Sequence, residues 1–392
     1  MTLSRRLDLR SAVAQRSILL LGPRQTGKST LLRETFPHAP SFNLLHTDVF
    51  FRFQSDPSRL RQEIRQLPAS DEPIIIDEVQ KLPILLDEVQ AMIDTGPRRF
   101  ILTGSSARKL KAGGANLLGG RARLRNLFPF VSSEVANLTN SPASFDLEKA
   151  LAYGMLPPVW LSDAPQEDLE AYCGTYLKEE IQAEALVRRL DGFSRFLKVA
   201  SLSNALELNF ESLARDCGVP ARTVREYASI LTDTLVATLL EPWRQGTKRK
   251  PVSSAKLYFF DVGVARVLAQ RKPAQAESRE WGLALEQLIF QELRAWVAYD
   301  GQNRPLTYWR TTDGREVDFV VGDELAVEVK ATRKVTEPDL KGLREIAHEG
   351  PWKARVVVCQ EPVARQTDDG IVVLPVHDFL ARLWAGAWLS SS

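Results

Sequence analysis

The residues best suited to chemistry lie near the amino terminus, where an apolar run leads into a glycine-rich segment. Residues 18–21 are Ile-Leu-Leu-Leu, and residues 22–29 read GPRQTGKS, the G-x-x-x-x-G-K-S spacing of a P-loop. Gly22 and Gly27 have no side chain, so successive backbone N–H groups can face a phosphate. In such a loop Lys28 reaches the β- and γ-phosphates, and the Ser29 hydroxyl ligates Mg²⁺. The motif therefore predicts that a strand, a loop and a helix bind ATP with Mg²⁺.

A second motif, with two carboxylates, complements this loop. Residues 74–76 are three isoleucines, which is typical of a strand buried on both faces of a parallel sheet. Asp77 and Glu78 follow directly, in the Walker B pattern. We expect Asp77 to hold the Mg²⁺ shell and Glu78 to orient and activate the attacking water. The predicted ATP-binding residues are Gly22, Pro23, Arg24, Gln25, Thr26, Gly27, Lys28, Ser29 and Thr30.

A third apolar strand ends in two hydroxyl residues, Thr103 and Ser105. Either one could sense a γ-phosphate from the end of its strand, and the sequence does not choose between them. Arginines follow in the segment GGRARLR, where Arg121 comes directly after two glycines. Arg121 is the first candidate for a finger that acts on the nucleotide of a neighbouring subunit, with Arg123 and Arg125 as alternatives. A solvated basic face explains each arginine equally well.

These motifs together resemble those of prokaryotic AAA-superfamily ATPases that carry an uncharacterised C-terminal domain of the DUF4143 type. The matching segments are GPRQTGKS, IDEVQ, LTGSS and GGR, then KLYFFDVG and YWR, and finally the EVD and EVK motifs. The resemblance covers nearly the whole chain. It implies ATP and Mg²⁺ as cofactors and a homo-oligomer, with a ring as one form. It also implies a C-terminal region with a winged-helix part and a nuclease-like part.

The middle of the chain predicts two short helices joined by a tight turn. Residues 209–217 have helical spacing, Gly218 suits a C-cap, and Pro220 suits the start of the next helix. This order is a helix-turn-helix, and the apolar runs 235–240 and 256–260 predict two wing strands. The expected DNA-binding residues are Arg222, Thr223, Arg225, Lys248, Arg249 and Lys250. A module that contacts protein, with these charges solvated, is the alternative.

The last third of the chain carries acidic motifs on predicted strands that follow a long helix. Asp318 lies in REVDF, and Glu328 and Lys330 lie in AVEVK, where strand alternation directs both side chains to one face. The order helix, three strands, helix, strand resembles the PD-(D/E)xK nuclease core. Asp318 and Glu328 would hold Mg²⁺, or alternatively Mn²⁺, with Glu286 of the helix as a further ligand. Lys330 would position a water and stabilise the developing phosphorane charge.

Composition argues against several other classes of protein. The 392 residues carry a net charge of +2, so contact with nucleic acid would have to come from local patches. Cys173, Cys217 and Cys359 lie far apart, which argues against a disulfide framework or a zinc site and fits a reducing cytoplasm. No apolar run approaches the length of a membrane span, so we expect a cytoplasmic protein without membrane contact.

The sequence thus predicts an α/β protein in four parts. They are a P-loop ATPase domain (1–140), a helical lid or connector (141–190), a winged-helix domain (191–270) and a nuclease-like α/β domain (271–392). The favoured function is an ATP-hydrolysing, DNA-binding protein whose C-terminal domain acts in DNA processing as a metal-dependent deoxyribonuclease. The alternative is a nucleotide-dependent switch whose winged-helix and nuclease-like domains bind partners without cutting DNA.

Overall fold

In the part of the chain that the structure describes, three β-sheets form with helices packed around them. The computed structural model describes residues 4–106, 117–136, 145–176, 190–244, 254–302 and 304–388. Among these residues, no helix is both long enough and apolar enough to cross a membrane.

The first sheet is parallel and has the strand order β2-β3-β4-β1-β5. Its strands are β1 (Ser17–Leu21), β2 (Ser41–Asn43), β3 (Ile74–Asp77), β4 (Phe100–Gly104) and β5 (Ala122–Asn126). The helices around it are Leu9–Gln15, Lys28–Thr35, Thr47–Ser55, Ser58–Gln66 and Leu85–Thr95. The central strands β1, β3 and β4 are buried along their whole length, as their apolar sequences predict. Because all five strands run in one direction, the segments that follow them meet at one edge of the sheet.

The middle of the chain is mainly helical and contains a small antiparallel sheet of order β6-β8-β7. Its helices are Leu147–Tyr153, Pro157–Trp160, Pro165–Ala171, Leu190–Leu202, Phe210–Cys217, Ala221–Asp233 and Val262–Leu268, and Tyr172–Tyr176 forms a π-helical turn. The strands are β6 (Leu206–Glu207), β7 (Ala237–Leu240) and β8 (Lys256–Phe259). One buried apolar cluster includes Leu156 and Leu169 as well as Phe196 and Leu231. The helices before and after residue 190 therefore share a core.

The C-terminal part is a mixed sheet of order β13-β14-β12-β11-β10-β9. The long helix Arg279–Asp300 precedes it, and Lys341–Ile346 and Val376–Trp384 also pack on it. Its strands are β9 (Leu306–Arg310), β10 (Glu316–Val321), β11 (Leu325–Val329), β12 (Ala354–Cys359), β13 (Arg365–Gln366) and β14 (Val372–Pro375). β9, β10 and β11 are antiparallel neighbours, whereas β12 runs parallel to β11. The parallel-sheet domain, the helical middle and the C-terminal α/β domain confirm the predicted fold class.

Backbone hydrogen bonds join the helical middle to the C-terminal sheet. After β7 the chain runs beside β9, where Trp243 N donates to Tyr308 O (2.5 Å) and Tyr308 N donates to Glu241 O (3.1 Å). The Tyr308 hydroxyl also donates to the carbonyl of Ser254, just before β8 (2.5 Å). These bonds hold β8, which begins at Lys256, against the C-terminal domain.

Candidate functional site

The P-loop connects the carboxyl end of β1 to the helix that follows it. Gly27 has a φ of +91°, a left-handed conformation that side-chain-bearing residues rarely adopt. At Gly22 a Cβ atom would lie 2.4 Å from the carbonyl oxygen of Leu127, so only glycine fits there. The Lys28 side chain is buried, and its Nζ donates to the carbonyls of Gly22 (2.7 Å) and Pro23 (3.0 Å). The loop thus curves around an ammonium group, which suits it to receive phosphate.

The remaining predicted ATP-binding residues line the same loop or begin its helix. Gln25 has a φ of +64°, and the buried Thr26 Oγ1 donates to Pro23 O at 2.9 Å. Arg24 is half-buried, and Thr30 is exposed on the first turn of the helix. The loop backbone is therefore held by its own hydrogen bonds and by positive φ angles at two positions.

The P-loop helix and the end of β3 meet at Asp77. Ser29 Oγ donates to Asp77 Oδ2 at 2.9 Å, and Thr103 Oγ1 donates to Asp77 Oδ1. Thr103 Oγ1 also accepts the backbone N–H of Glu78 at 3.1 Å. A hydroxyl beside a carboxylate supplies the oxygen ligands that Mg²⁺ prefers, so these residues fit a magnesium–nucleotide complex.

Glu78 is held by a residue whose role the sequence analysis missed. Glu78 has a φ of +62°, which is unusual for a residue with a side chain and is found most often at functional sites. The buried Gln80 donates through Nε2 both to Glu78 Oε2 (2.5 Å) and to Ser105 Oγ (3.2 Å). Ser105 therefore reaches Glu78 only through Gln80, whereas Thr103 contacts Asp77 directly. Gln80 stands two residues after Glu78 in the IDEVQ motif. Its place in that motif is the sequence signal that could have identified it.

Replacing Gln80 is expected to slow catalysis without weakening ATP binding. Gln80→Ala should lower kcat by about 10-fold to 100-fold with KM nearly unchanged, because a mispositioned Glu78 affects chemistry rather than phosphate contacts. Steady-state phosphate release gives both parameters. Gln62→Ala, on an exposed helix of the same domain, is the control. An unchanged kcat in Gln80→Ala would contradict this role.

Arg5 is a second residue that the sequence analysis did not identify, and it ties the P-loop to the segment after β5. Its buried guanidinium donates to Thr26 O (2.7 Å) and Phe128 O (2.7 Å), and its Nε lies 2.9 Å from Glu134 Oε2. Glu134 also accepts the backbone N–H groups of Arg6 (2.6 Å) and Val131 (3.1 Å). Hydrogen bonds through Arg5 therefore connect the P-loop to the segment after β5.

The same segment contacts the C-terminal domain through a buried carboxylate. Glu292, on the long helix Arg279–Asp300, accepts from Ser132 N (2.7 Å), Ser132 Oγ (3.1 Å) and Trp384 Nε1 (2.6 Å). Burial raises the pKa of Glu292 to about 7 even though these donors favour its charged form. The P-loop, Arg5, residues 131–134 and the C-terminal helices thus form one continuous network of contacts.

Arg121 lies at the edge of the sheet where the parallel strands begin, whereas the P-loop lies at the edge where they end. It precedes β5, whose first residue, Ala122, pairs with Ser17 at the start of β1. The five residues of β1 separate this edge from the loop by about 15 Å at 3.3 Å per residue. Arg121 Nε is 2.5 Å from Asp94 Oδ1. In this structure Arg121 therefore pairs with Asp94 and lies away from the P-loop of its own chain.

The other two candidate arginines lie along β5, at the edge of the sheet. Arg123 NH1 donates to Gln15 Oε1 at 2.5 Å, and Arg125 NH1 donates to the carbonyl of Leu124 at 3.1 Å. Neither contact involves the P-loop.

The two predicted short helices of the middle part are joined by a tight turn. Asn209 caps the first helix, and Gly218 ends it with a φ of +65°. Pro220 is the N-cap of Ala221–Asp233 rather than its first helical residue, because its ψ of 146° is extended. The order helix, strand, helix, helix, strand, strand then runs from Leu190 through β8.

The candidate DNA-contacting residues of this second helix have acidic neighbours. The Arg222 side chain is 90% exposed and lies 3.4 Å from Glu226, while Arg225 lies 2.9 Å from Glu211. Thr223 is half-buried. DNA would have to compete with two glutamates for these arginines. The predicted wing residues Lys248, Arg249 and Lys250 lie outside the described residues.

The EVD and EVK motifs come together on adjacent strands, as their spacing predicts. Val329 N donates to Asp318 Oδ2 at 2.8 Å, and Asp318 N is 3.3 Å from Glu328 Oε2. Lys330 Nζ is 2.5 Å from Glu328 Oε1. Burial, and then the charge of Asp318, raise the pKa of Glu328 despite Lys330. The three predicted residues therefore form one connected group, in which Asp318 and Glu328 are buried and Lys330 is partly exposed.

Glu286 faces a lysine from the middle of the chain. Lys256 Nζ lies 3.3 Å from Glu286 Oε1 and 3.8 Å from Asp318 Oδ1, and it also pairs with Glu316. Glu286 Oε1 accepts in addition from the Tyr258 hydroxyl at 2.5 Å. Burial, and then the charge of Asp318, raise the pKa of Glu286 to about 7.

This lysine changes the prediction for the metal site. In the part of the chain that the structure describes, no group of three or more His, Cys, Asp or Glu residues is arranged to hold a metal ion. Two of the three expected metal ligands, Glu286 and Asp318, face the Lys256 ammonium, so a metal ion at this site would have to compete with that cation. The assignment of Glu286, Asp318 and Glu328 as metal ligands stays a prediction. No motif in the sequence indicates that a lysine of β8 lies beside these carboxylates.

Comparison with protein families divides the chain into three matches. Residues 14–136 match an AAA domain, residues 144–275 match a domain of unknown function (DUF8612), and residues 281–379 match another, DUF4143. The first match contains the P-loop, Asp77 and Thr103. The second runs across position 190, in agreement with the shared apolar core of the helical middle.

Two curated relatives and one solved structure are similar to this chain. The relatives are uncharacterized proteins of Mycobacterium bovis and Mycobacterium tuberculosis, each 27% identical over 325 residues that cover 80% of this chain and 70% of the relative. The structure is the ORC1 protein of Aeropyrum pernix in complex with DNA, with 14% identity over 65% of this chain and 86% of that one. Its TM-score of 0.28 does not establish a shared fold. By these matches and its P-loop, this chain contains an AAA domain at residues 14–136 and a C-terminal domain of the DUF4143 family at residues 281–379.

Proposed function

We propose that this protein hydrolyses ATP at the P-loop and binds DNA through its helical middle. The observation that carries the first half is the meeting of Ser29 and Asp77, whose side-chain oxygens are 2.9 Å apart. It brings the end of the P-loop to the end of the carboxylate strand, where Mg²⁺ would need both oxygens.

Each of the site's own residues then has a distinct task. Lys28 and the loop N–H groups bind the phosphates, and Ser29 and Asp77 hold Mg²⁺, which neutralises phosphate charge when bound. Glu78 orients and activates water, while Gln80 keeps Glu78 in position. The hydrogen bond from Thr103 fixes Asp77. We therefore assign to Thr103 the role of sensing the γ-phosphate from the end of its strand, and to Ser105 a supporting role.

The element order of the helical middle supports DNA binding. Helix, strand, helix, helix and two antiparallel strands is the order of a winged helix, in which the third helix enters the major groove. In this reading Arg222, Thr223 and Arg225 face DNA, and Lys248, Arg249 and Lys250 contact phosphates from the wing. Because Arg222 and Arg225 each pair with a glutamate, most of the electrostatic attraction for DNA would come from the wing.

Removing the wing charges is expected to flatten the salt dependence of DNA binding. Three charges that each release counterions contribute up to about 2.7 to the slope of log affinity against log salt. The triple variant Lys248→Gln, Arg249→Gln, Lys250→Gln should lose that contribution, measured by fluorescence anisotropy with a short duplex between low and moderate salt. We expect weaker binding at every salt concentration, with the largest loss at low salt.

The matched control removes three charges from the ATPase domain instead. Arg59→Gln, Arg61→Gln and Arg65→Gln lie on one helix of that domain, away from the wing. The control should keep the wild-type slope. An unchanged slope in the wing variant would mean that the wing contacts protein rather than DNA.

We infer further that the protein acts as a homo-oligomer in which Arg121 of one subunit reaches the nucleotide of the next. Its position at the edge away from its own P-loop supports an intermolecular role. Exchange of Asp94 for a phosphate would then accompany assembly.

For the C-terminal domain, Lys256 favours the second candidate function, a nucleotide-dependent switch that binds partners without cutting DNA. The network from the P-loop through Arg5 to Glu292 offers a route by which nucleotide state could reach this domain. Incubating the full chain with plasmid, Mg²⁺ or Mn²⁺, and ATP distinguishes the two candidates. Nicked plasmid would support DNA cleavage, and intact plasmid would support the switch.

A further inference from the structure

The carboxylate cluster of the C-terminal domain is filled by a cation from a different part of the chain. The Lys256 side chain is only 5% exposed, and the Tyr308 ring covers it with its centroid 5.3 Å from Nζ. Three carboxylates, those of Glu286, Glu316 and Asp318, face this one ammonium. An aromatic face and three carboxylates make a closed cation site.

The backbone, and not only the side chain, fixes this lysine in place. β8 pairs with β7 along its whole length, and the chain after β7 pairs with β9 at Tyr308. The Tyr308 hydroxyl binds the carbonyl of Ser254, two residues before Lys256. Lys256 therefore cannot leave the cluster unless β8 moves away from β9 or the buried side chain breaks its ion pairs.

The ammonium and a divalent ion compete for the same oxygens. A carboxylate-bound Mg²⁺ needs oxygen ligands at about 2.0–2.1 Å. The Glu286 and Asp318 oxygens that would supply them lie 3.3 Å and 3.8 Å from Lys256 Nζ. Asp318 Oδ2 is already used by the backbone of Val329. A second cation among these oxygens would be repelled at short range in a poorly solvated site.

We propose that the Lys256 ammonium takes the place of the divalent ion that a nuclease-like fold implies. While Lys256 lies against Tyr308 of β9, the cluster of Glu286, Glu316 and Asp318 binds no metal and the domain is closed to metal-dependent cleavage. This inference concerns the carboxylates of the C-terminal domain and Lys256 of β8, so it does not depend on ATP hydrolysis at the P-loop.

The test measures Mn²⁺ binding to the full chain without nucleotide. The EPR signal of free Mn²⁺ reports how much of the ion is unbound. Lys256→Met keeps an unbranched side chain but removes the charge, leaving three facing carboxylates. We expect this variant to bind one Mn²⁺ at least about tenfold more tightly than the wild type does. Adding Asp318→Asn should remove the gain, and Lys353→Met, which removes an exposed charge of the same domain, should produce none.

Wild-type protein that binds Mn²⁺ as tightly as Lys256→Met would overturn the proposal, as would a gain that survives Asp318→Asn. If Lys256→Met folds poorly, Mn²⁺ should raise its melting temperature more than that of the wild type, because the ion restores the missing charge. A second comparison does not use the Lys256→Met variant. Wild type and Asp318→Asn should bind Mn²⁺ equally, and tighter binding by the wild type would again overturn the proposal.

Discussion

Glu78→Gln is expected to lower ATP turnover by about 100-fold to 10,000-fold, the range typical for loss of a general base. Glutamine keeps the shape and the hydrogen bond from Gln80, but it cannot accept a proton from water. ATP binding should stay close to wild type, because Lys28 and the loop provide the phosphate contacts. Turnover is measured as phosphate release under saturating ATP and Mg²⁺, and binding is measured with a fluorescent ATP analogue.

Glu34→Gln is the matched control for this variant. Glu34 lies exposed on the P-loop helix, so its replacement removes one carboxylate from the same region without touching the site. It should hydrolyse ATP at the wild-type rate. Normal hydrolysis by Glu78→Gln would remove Glu78 from the mechanism.

Lys28→Ala is expected to weaken ATP binding on the order of 100-fold, which amounts to loss of turnover at cellular ATP concentrations. A charge-assisted hydrogen bond contributes about 1.5–3 kcal/mol, and this lysine is the cation inside the loop. The carbonyls of Gly22 and Pro23 would also lose their donor, so the loop itself would be less well held. Binding of the fluorescent analogue measures the loss directly.

Arg33→Ala controls for the removal of a positive charge from the same helix. Its side chain is exposed and lies 3.4 Å from Thr30 Oγ1. ATP affinity should therefore stay at the wild-type value in Arg33→Ala. Equal losses in both variants would mean that general charge, rather than the ammonium inside the loop, attracts the nucleotide.

The P-loop and the carboxylate strand were predictable because short-range rules connect their spacing to geometry. The G-x-x-x-x-G-K-S spacing fixes a loop after a strand, and parallel strands bring their carboxyl ends to one edge. The contact of Ser29 with Asp77 follows from those two rules. The neighbouring EVD and EVK strands follow in the same way from strand alternation and a tight turn at Gly322, which has a φ of +57°.

Contacts between distant parts of the chain were not predictable. Arg5 binds backbone carbonyls of Thr26 and Phe128, and a carbonyl acceptor leaves no mark in the sequence. Lys256 enters the carboxylate cluster because the start of β8 lies against Tyr308 of β9, an arrangement that depends on how two domains meet. Strand pairing likewise had to be known before Arg121 could be assigned to the edge opposite the P-loop.

The central claim is that this P-loop converts bound ATP to ADP, and a single-turnover experiment tests it most directly. Excess protein is mixed with labelled ATP and Mg²⁺, passed rapidly through a desalting column, and the bound nucleotide is separated after denaturation. We expect wild-type protein to carry ADP, Glu78→Gln to carry intact ATP, and Lys28→Ala to carry neither. Intact ATP on wild-type protein after the time in which a turnover should be complete would contradict it.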